Sequence, residues 1–272
     1  MKFKIFLLSA LTLPLFARAQ DDFEIQVYGS ETMEPRATMF ELHSNHIFRG
    51  TTTTTDGTYP GNNQTHETIE ITHGWNSWFE TGFYFFNAAV PGACYVETGS
   101  HIRPRVRVPD SWHWPVGVSM SAEVGYIGPK FSADTWDLEL RPIIDKQFKR
   151  LYLAINPVFD KSLYGPNSRK GFDFVPSSKL SYSIKKQIAV GAEYYGETGF
   201  LASASPNTPH HQLYAVVDLD VIKNVEIDFG YGSALTNQTD SRIFKLILGY
   251  KLEGRKKTAQ QYLGNVFINP LH

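Results

Sequence analysis

Cysteine is almost absent from this chain. Cys94 is the sole example among 272 residues, so no internal disulfide can staple the fold. No His and Asn partners stand in a pattern that would activate it, and a lone thiol of this kind reads as a small packed residue. Charge of one sign is missing too: the net charge is −1, which excludes the basic footprint of a nucleic-acid binder. After the first residues there is no apolar stretch of the roughly 20 residues a membrane-spanning helix needs. No phosphate-binding glycine loop and no nucleotide fingerprint occurs, so no cofactor is implied. The spacing of His, Cys, Asp and Glu implies no metal site either.

What the chain has instead is aromatics and glycine on a polar average. It carries 14 Tyr, 19 Phe and 21 Gly at a mean hydropathy of −0.26. The amino terminus has the layout of a secretory signal over residues 1–19. Lys2 and Lys4 precede an apolar run from Ile5 to Phe16, and Ala17-Arg18-Ala19 supplies a small-x-small cleavage site before the polar Gln20-Asp21-Asp22. No cysteine follows to carry a lipid anchor. The sequence therefore predicts export.

Period-two alternation recurs from Thr38 to Leu252. Trp136, Leu138, Leu140, Pro142 and Ile144 alternate with Asp137, Glu139 and Arg141. Val225, Ile227, Phe229 and Tyr231 alternate with Glu226, Asp228 and glycines. Phe244, Leu246, Leu248, Tyr250 and Leu252 enclose Lys245 and Lys251. Each strand thus has one face suited to lipid and one suited to water. The predicted strands fall at 38–49, 65–74, 79–89, 100–108, 116–127, 134–145, 150–159, 171–184, 188–198, 209–221, 225–234 and 241–252, about twelve in all. A soluble sandwich would alternate as well, but connection length and tryptophan position argue for a membrane barrel. The turns at Trp75-Asn76-Ser77, Lys185-Lys186-Gln187 and Ile222-Lys223-Asn224 are tight, while 50–64, 160–170 and 199–208 are longer and polar. Trp75, Trp78, Trp112 and Trp114 gather at the tight-turn end, where a membrane interface accommodates both the indole ring and its N–H. The fold expected is all-β: a transmembrane antiparallel up-and-down β-barrel over 37–252, located in the bacterial outer membrane. Residues 20–36 form an extension with a short strand, Phe23 to Gly29, pairing at the periplasmic rim or extending the barrel. Residues 253–272 form a periplasmic tail.

The segments Phe23-Glu24-Ile25-Gln26-Val27-Tyr28 and Ala37-Thr38-Met39-Phe40-Glu41-Leu42-His43-Ser44-Asn45 resemble the start of outer-membrane proteins of the phenol-degradation meta-pathway (MetA-type) family. The resemblance covers mainly the first fifth of the chain. It implies an outer-membrane barrel engaged in the passage of small, including aromatic, compounds. Members of the wider barrel class commonly end on an aromatic residue read by the barrel-assembly machinery; here that pattern lies inside the chain, at Phe244–Leu252.

Facing the apolar set inward or outward decides what the interior carries. With the apolar face on lipid, the lumen receives Glu41, His43, Glu70, Glu80, Arg103, Arg105, Arg107, Glu123, Asp137, Glu139, Arg141, Asp173, Lys179, Glu193, Asp218, Asp220, Glu226, Asp228, Lys245 and Lys251. The residues predicted to line a pore are Glu80, Arg103, Arg105, Arg107, Glu123, Asp137, Glu139 and Arg141. Three guanidinium groups on one strand beside acidic neighbours can set a transverse field that selects polar or anionic solutes. They can equally neutralise each other and fill a narrow lumen, since a buried charge must be paired whether or not anything passes. The function expected is a passive channel or uptake protein with small-molecule solutes and lipid as partners. The alternatives are a structural or adhesive barrel acting through its external loops, and an outer-membrane lipid hydrolase. For the last, Ser44 and His46 would share the outer face and His210-His211 would lie solvated at a loop edge. Neither completes a triad, so no catalytic residue is expected.

Overall fold

The computed structural model describes residues 23–54, 57–93, 95–201, 210–236 and 240–254. The expected signal peptide at 1–19, Cys94 and all but the first two residues of the expected tail lie outside them. The strand segments are β1 (Thr38–Arg49), β2 (Thr65–Asn76), β3 (Phe79–Ala89), β4 (Tyr95–Arg107), β5 (Gly117–Ile127), β6 (Trp136–Phe148), β7 (Leu151–Asn156), β8 (Phe159–Tyr164), β9 (Asp173–Phe174), β10 (Ser177–Lys185), β11 (Ile188–Glu197), β12 (His210–Ile222), β13 (Val225–Ala234) and β14 (Ser241–Leu252). Consecutive segments pair antiparallel, and β14 closes the circle on β1 from Thr38↔Leu252 to Arg49↔Ser241. β7 and β8 are two arms of one wall strand, pairing with the lower and upper parts of β6. β9 and β10 are likewise one strand. The result is a closed barrel of 12 strands.

Both breaks are at proline. Pro157 and Pro176 cannot donate to the ladder, and across the gap Val175 N–H bonds Val158 C=O at 2.9 Å. The sequence placed a loop at 160–170; the wall instead continues to Tyr164, because the alternation Phe159, Lys161, Leu163 against Asp160 and Ser162 still fits one face outward. β4 also starts earlier than the predicted 100, at Tyr95.

The exterior is apolar. Leu42, Ile69, Phe83, Ile102, Ile155, Leu180, Leu213, Leu248 and Tyr250 all stand exposed on the outer wall. The polar side chains turn inward, with His43, Glu70, Glu80, Arg103 and Lys245 all buried. That inversion is the surface a bilayer requires. Trp75, Trp78, Trp112 and Trp114 are all exposed at the end that carries the short turns. A 3-10 turn at Asp110–Trp112 lengthens one of those connections.

Residues Phe23 to Ala37 depart from expectation. They form no strand in the wall and extend no sheet. Residues Phe23 to Glu34 run through the lumen and turn at Pro35 and Arg36 into the periplasmic start of β1, where Arg36 N–H bonds Gly74 C=O of β2 at 2.6 Å. Gly74 is glycine because a Cβ there would lie 2.5 Å or less from the carbonyl oxygens of Met33 and Glu34. The segment alternates like a strand because it meets two different walls. Ile25 and Val27 pack with Ile47, Ala154, Tyr195, Tyr214, Val216 and Ile243, while Glu24, Gln26 and Tyr28 face the other way. Phe23 packs separately with Tyr84, Phe86 and Ile127.

A charged residue on the outer wall should be costly, and an inward one of equal size should not. Leu248→Arg near mid-strand is expected to lower the unfolding free energy in lipid vesicles by about 2–4 kcal/mol. Urea titration of the vesicle-embedded protein measures it.

Candidate functional site in the lumen

The backbone of the inner segment has no neighbouring strand, so wall side chains take that role. Asn156 does it most completely: its Oδ1 accepts from Tyr28 N–H at 2.8 Å and its Nδ2 donates to Tyr28 C=O at 2.9 Å. Higher in the lumen, Thr68 donates to Phe23 C=O at 2.8 Å and Asn45 to the same oxygen at 3.3 Å. Lys245 reaches Ile25 C=O at 3.2 Å and Arg141 reaches Gln26 C=O at 3.3 Å. Toward the periplasm, Arg105 donates to Gly29 C=O and Glu31 C=O at 3.2 and 2.7 Å. Asp145 accepts from Ser30 N–H at 2.9 Å and Glu80 from Met33 N–H at 2.5 Å.

The arginine strand meets its carboxylates side by side. Arg103 bonds Glu70 at 2.8 Å and lies 3.5 Å from Glu80, while Arg105 pairs with Glu80 at 2.7 Å. Arg107 sits at the mouth against Asp110. Arg141 grips Glu139 through two bonds of 2.5 and 2.7 Å. Glu123 and Asp137 both contact His101, at 2.7 and 3.4 Å. The guanidinium carbons of Arg103, Arg141 and Arg105 stand 4.7, 4.8 and 5.6 Å from the centre of the Tyr28 ring. Tyr28 is thus clasped by cations drawn from two strands, Arg103 and Arg105 of β4 and Arg141 of β6.

A second network fills the opposite wall. Lys179 contacts Glu193, Asp218 and Asp228 at 3.1, 2.7 and 3.0 Å. Lys245, fully buried, contacts Glu193 and Asp228 at 2.5 and 3.0 Å. Every one of the residues predicted to line a pore therefore points into the barrel or its mouth, and most are engaged in ion pairs. Sequence reasoning missed Glu70 as the main partner of Arg103, and it missed Tyr28, Asp145 and Asn156. The one signal available was Asn156, a polar residue ending an apolar run just before a proline.

Below Tyr28 a cavity of about 1010 Å³ opens toward the periplasm, with Glu80, Arg105, Arg107, Trp114, Asp145 and Lys251 on its walls. Above Tyr28 the segment ends in a packed aromatic group. Phe23 stacks on His66 at 4.3 Å between ring centres, with Phe86 and Phe131 at 5.2 and 6.1 Å.

The hydrolase alternative finds no support in this geometry. His46 Nδ1 is engaged with Thr65 Oγ1 at 2.9 Å, and His43 faces the lumen. The histidines at the loop edge are not solvated as expected: His210 is buried and His211 bonds Tyr194 at 2.7 Å.

No family model matches the chain, and no curated protein matches it in sequence. Solved structures do match its fold. The NanC porin is 7% identical, with a TM-score of 0.51 over 79% of this chain and 99% of that one. An outer-membrane channel from Pseudomonas putida F1 is 10% identical, with a TM-score of 0.51 over 84% and 99%. The KdgM porin is 10% identical, with a TM-score of 0.50 over 80% and 99%. The class is therefore defined by architecture: this chain has the fold of the outer-membrane β-barrel channels. At such identities the likeness is one of fold.

Removing one partner from a buried network should cost far more than removing an exposed pair. Lys245→Met is expected to destabilise the barrel by about 3–5 kcal/mol, since Glu193 would remain buried without its closest cation. Lys223→Met, which breaks an exposed contact with Glu253, should change stability by no more than ~1 kcal/mol. Urea midpoints of the two variants in the same detergent decide the comparison.

Proposed function

We propose that this chain is a passive outer-membrane channel or uptake protein for small polar or aromatic solutes, with its own amino-terminal segment as the internal gate. It performs no chemistry on what it carries. One observation supports the reading above the rest. The lumen is occupied by a separable piece of chain, held through side-chain hydrogen bonds, rather than by the wall alone. A wall-filled barrel would need no such piece. The pockets around Phe23 and Tyr28 already accommodate aromatic rings, which favours aromatic solutes and agrees with the resemblance to the phenol-degradation meta-pathway (MetA-type) proteins. Along the inward faces carboxylates outnumber guanidinium and ammonium groups, so residual ion flow should favour cations, contrary to the anion preference the arginine strand suggests in isolation.

A second reading follows from the same occupied lumen: a non-conducting structural barrel whose external loops contact partners. Planar-bilayer recordings separate the two. Deleting residues 23–30 from the mature chain is expected to raise single-channel conductance well above that of the intact protein, with cation preference in asymmetric KCl. Triple replacement Arg103/Arg105/Arg107→Ala should raise it as well, by releasing the backbone of Gly29 and Glu31. If the intact protein, the deletion and the triple variant all fold yet none conducts or swells liposomes, the channel reading is wrong and the structural one stands.

A further inference from the structure

Glu41 and Glu70 lie directly opposite each other on the paired strands β1 and β2. Like charges in cross-strand positions destabilise a sheet unless something neutralises them. His43, next on the same inward face of β1, completes a compact group. One ligand-type atom from each of the three residues falls within 4.8 Å of the others. His43 Nε2 and Glu70 Oε2 are 3.2 Å apart, and both side chains are almost wholly buried. Neither ring nitrogen of His43 makes a hydrogen bond of regular geometry, and Glu70 Oε2 likewise makes none.

The other oxygen of Glu70 is firmly held. Its Oε1 accepts from Arg103, Thr72 and Tyr84 at 2.8, 2.6 and 2.9 Å. That leaves Oε2 fixed and aimed at His43 Nε2, its one close contact, which is how an outer shell orients a ligating carboxylate. Two atoms bound to a tetrahedral zinc at about 2.0–2.2 Å stand roughly 3.3 Å apart, close to the observed separation of Nε2 and Oε2. Glu41 is only half-buried and lines the periplasmic cavity, so an ion has a way in and an open face remains for water or a solute group.

We propose that Glu41, His43 and Glu70 form a divalent-cation site of the zinc class in the lumen wall, joining β1 to β2 beside the inner segment. The site stands whether or not the barrel conducts. The chemistry is that of a three-ligand centre with an open position. Its consequence is a cross-link between β1, into which the inner segment leads, and its neighbour β2.

The test uses the full mature chain folded in detergent, stripped with chelator and titrated with zinc chloride. Bound metal is counted by elemental analysis after desalting, and affinity is read by calorimetry. One zinc per chain is expected for the wild type. His43→Gln and Glu41→Gln should each weaken it by about a hundredfold or more, since losing even an outer-shell partner costs up to that much. Glu70 is left intact because it also holds Arg103. Each variant is scored only if its gel mobility is still shifted by heating, as for a folded barrel. Should His43→Gln not fold, Glu41→Gln alone decides. Unchanged zinc stoichiometry and affinity in a folded Glu41→Gln variant overturns the site, as does wild-type protein that binds no zinc and instead holds His43 as a protonated partner of Glu70.

Discussion

The constraint on which this structure turns is the satisfaction of polar groups inside a closed wall. The barrel holds Glu70, Glu80, Arg103, Arg141, Glu193 and Lys245 in its interior, and an extended peptide with unpaired N–H and C=O groups passes among them. Each component alone would be unfavourable there, because a buried charge or orphan amide costs several kcal/mol. Together they solve each other. Arg105 is bonded to Glu80 on one side and to two carbonyls of the inner segment on the other. Lys245 joins Glu193, Asp228 and Ile25 C=O. The inner segment is therefore part of the charge network rather than an object lodged in a finished pore.

This interdependence explains why the segment's sequence resembles a strand. Ile25 and Val27 need an apolar wall, and Glu24, Gln26 and Tyr28 need a polar one; in an extended chain that requirement has period two. A sheet would supply the same pattern with ladder hydrogen bonds. Here Asn156 imitates one rung of such a ladder at Tyr28, and basic, acidic and neutral polar side chains of the wall replace others. From residue types alone the two arrangements are indistinguishable, since both ask for alternation in Phe23 to Gly29. What differs is the partner, and the partners lie about 20 to 220 residues away in the chain.

The wall itself was legible for the opposite reason. Its two solvents, lipid and lumen, act on every strand alike, so the pattern repeats and each repetition confirms the others. Val225 to Tyr231 and Phe244 to Leu252 show it, with Ile247 the inward apolar exception. The tryptophan end was legible because an interface selects a residue type directly. The pairings inside were not. Alternation places Arg103 and Glu70 on inward faces, but which carboxylate an arginine chooses depends on stagger. Arg103 passes over Gly82, its direct neighbour on β3, to reach Glu70 on β2. A glycine at that point opens the path. His210 is likewise buried where its loop-edge position predicts a solvated ring, because position in the sequence does not report burial.

The glycines at the seams suggest how a filled barrel can still admit change. Gly82 lets Arg103 reach across a strand, and Gly74 lets the inner segment pass within contact of β2. Both lie near the entry point of that segment, where its hold on the wall is made by long, flexible side chains such as Arg105 and by the Met33 amide on Glu80. Above them Lys245 and Arg141 still reach the segment, and they are joined by the short amide of Asn156 and by packed rings around Phe23. Packed rings tolerate little displacement and long side chains tolerate more, so the part of the segment beyond Ser30, next to the cavity, is the part freest to shift while Phe23 stays seated. An opening movement would then begin at the periplasmic cavity and would have to break the Tyr28 clasp before the lumen cleared. The resistance of the barrel is concentrated at Tyr28, where the three guanidinium groups, Asn156 and the Tyr84 hydroxyl converge.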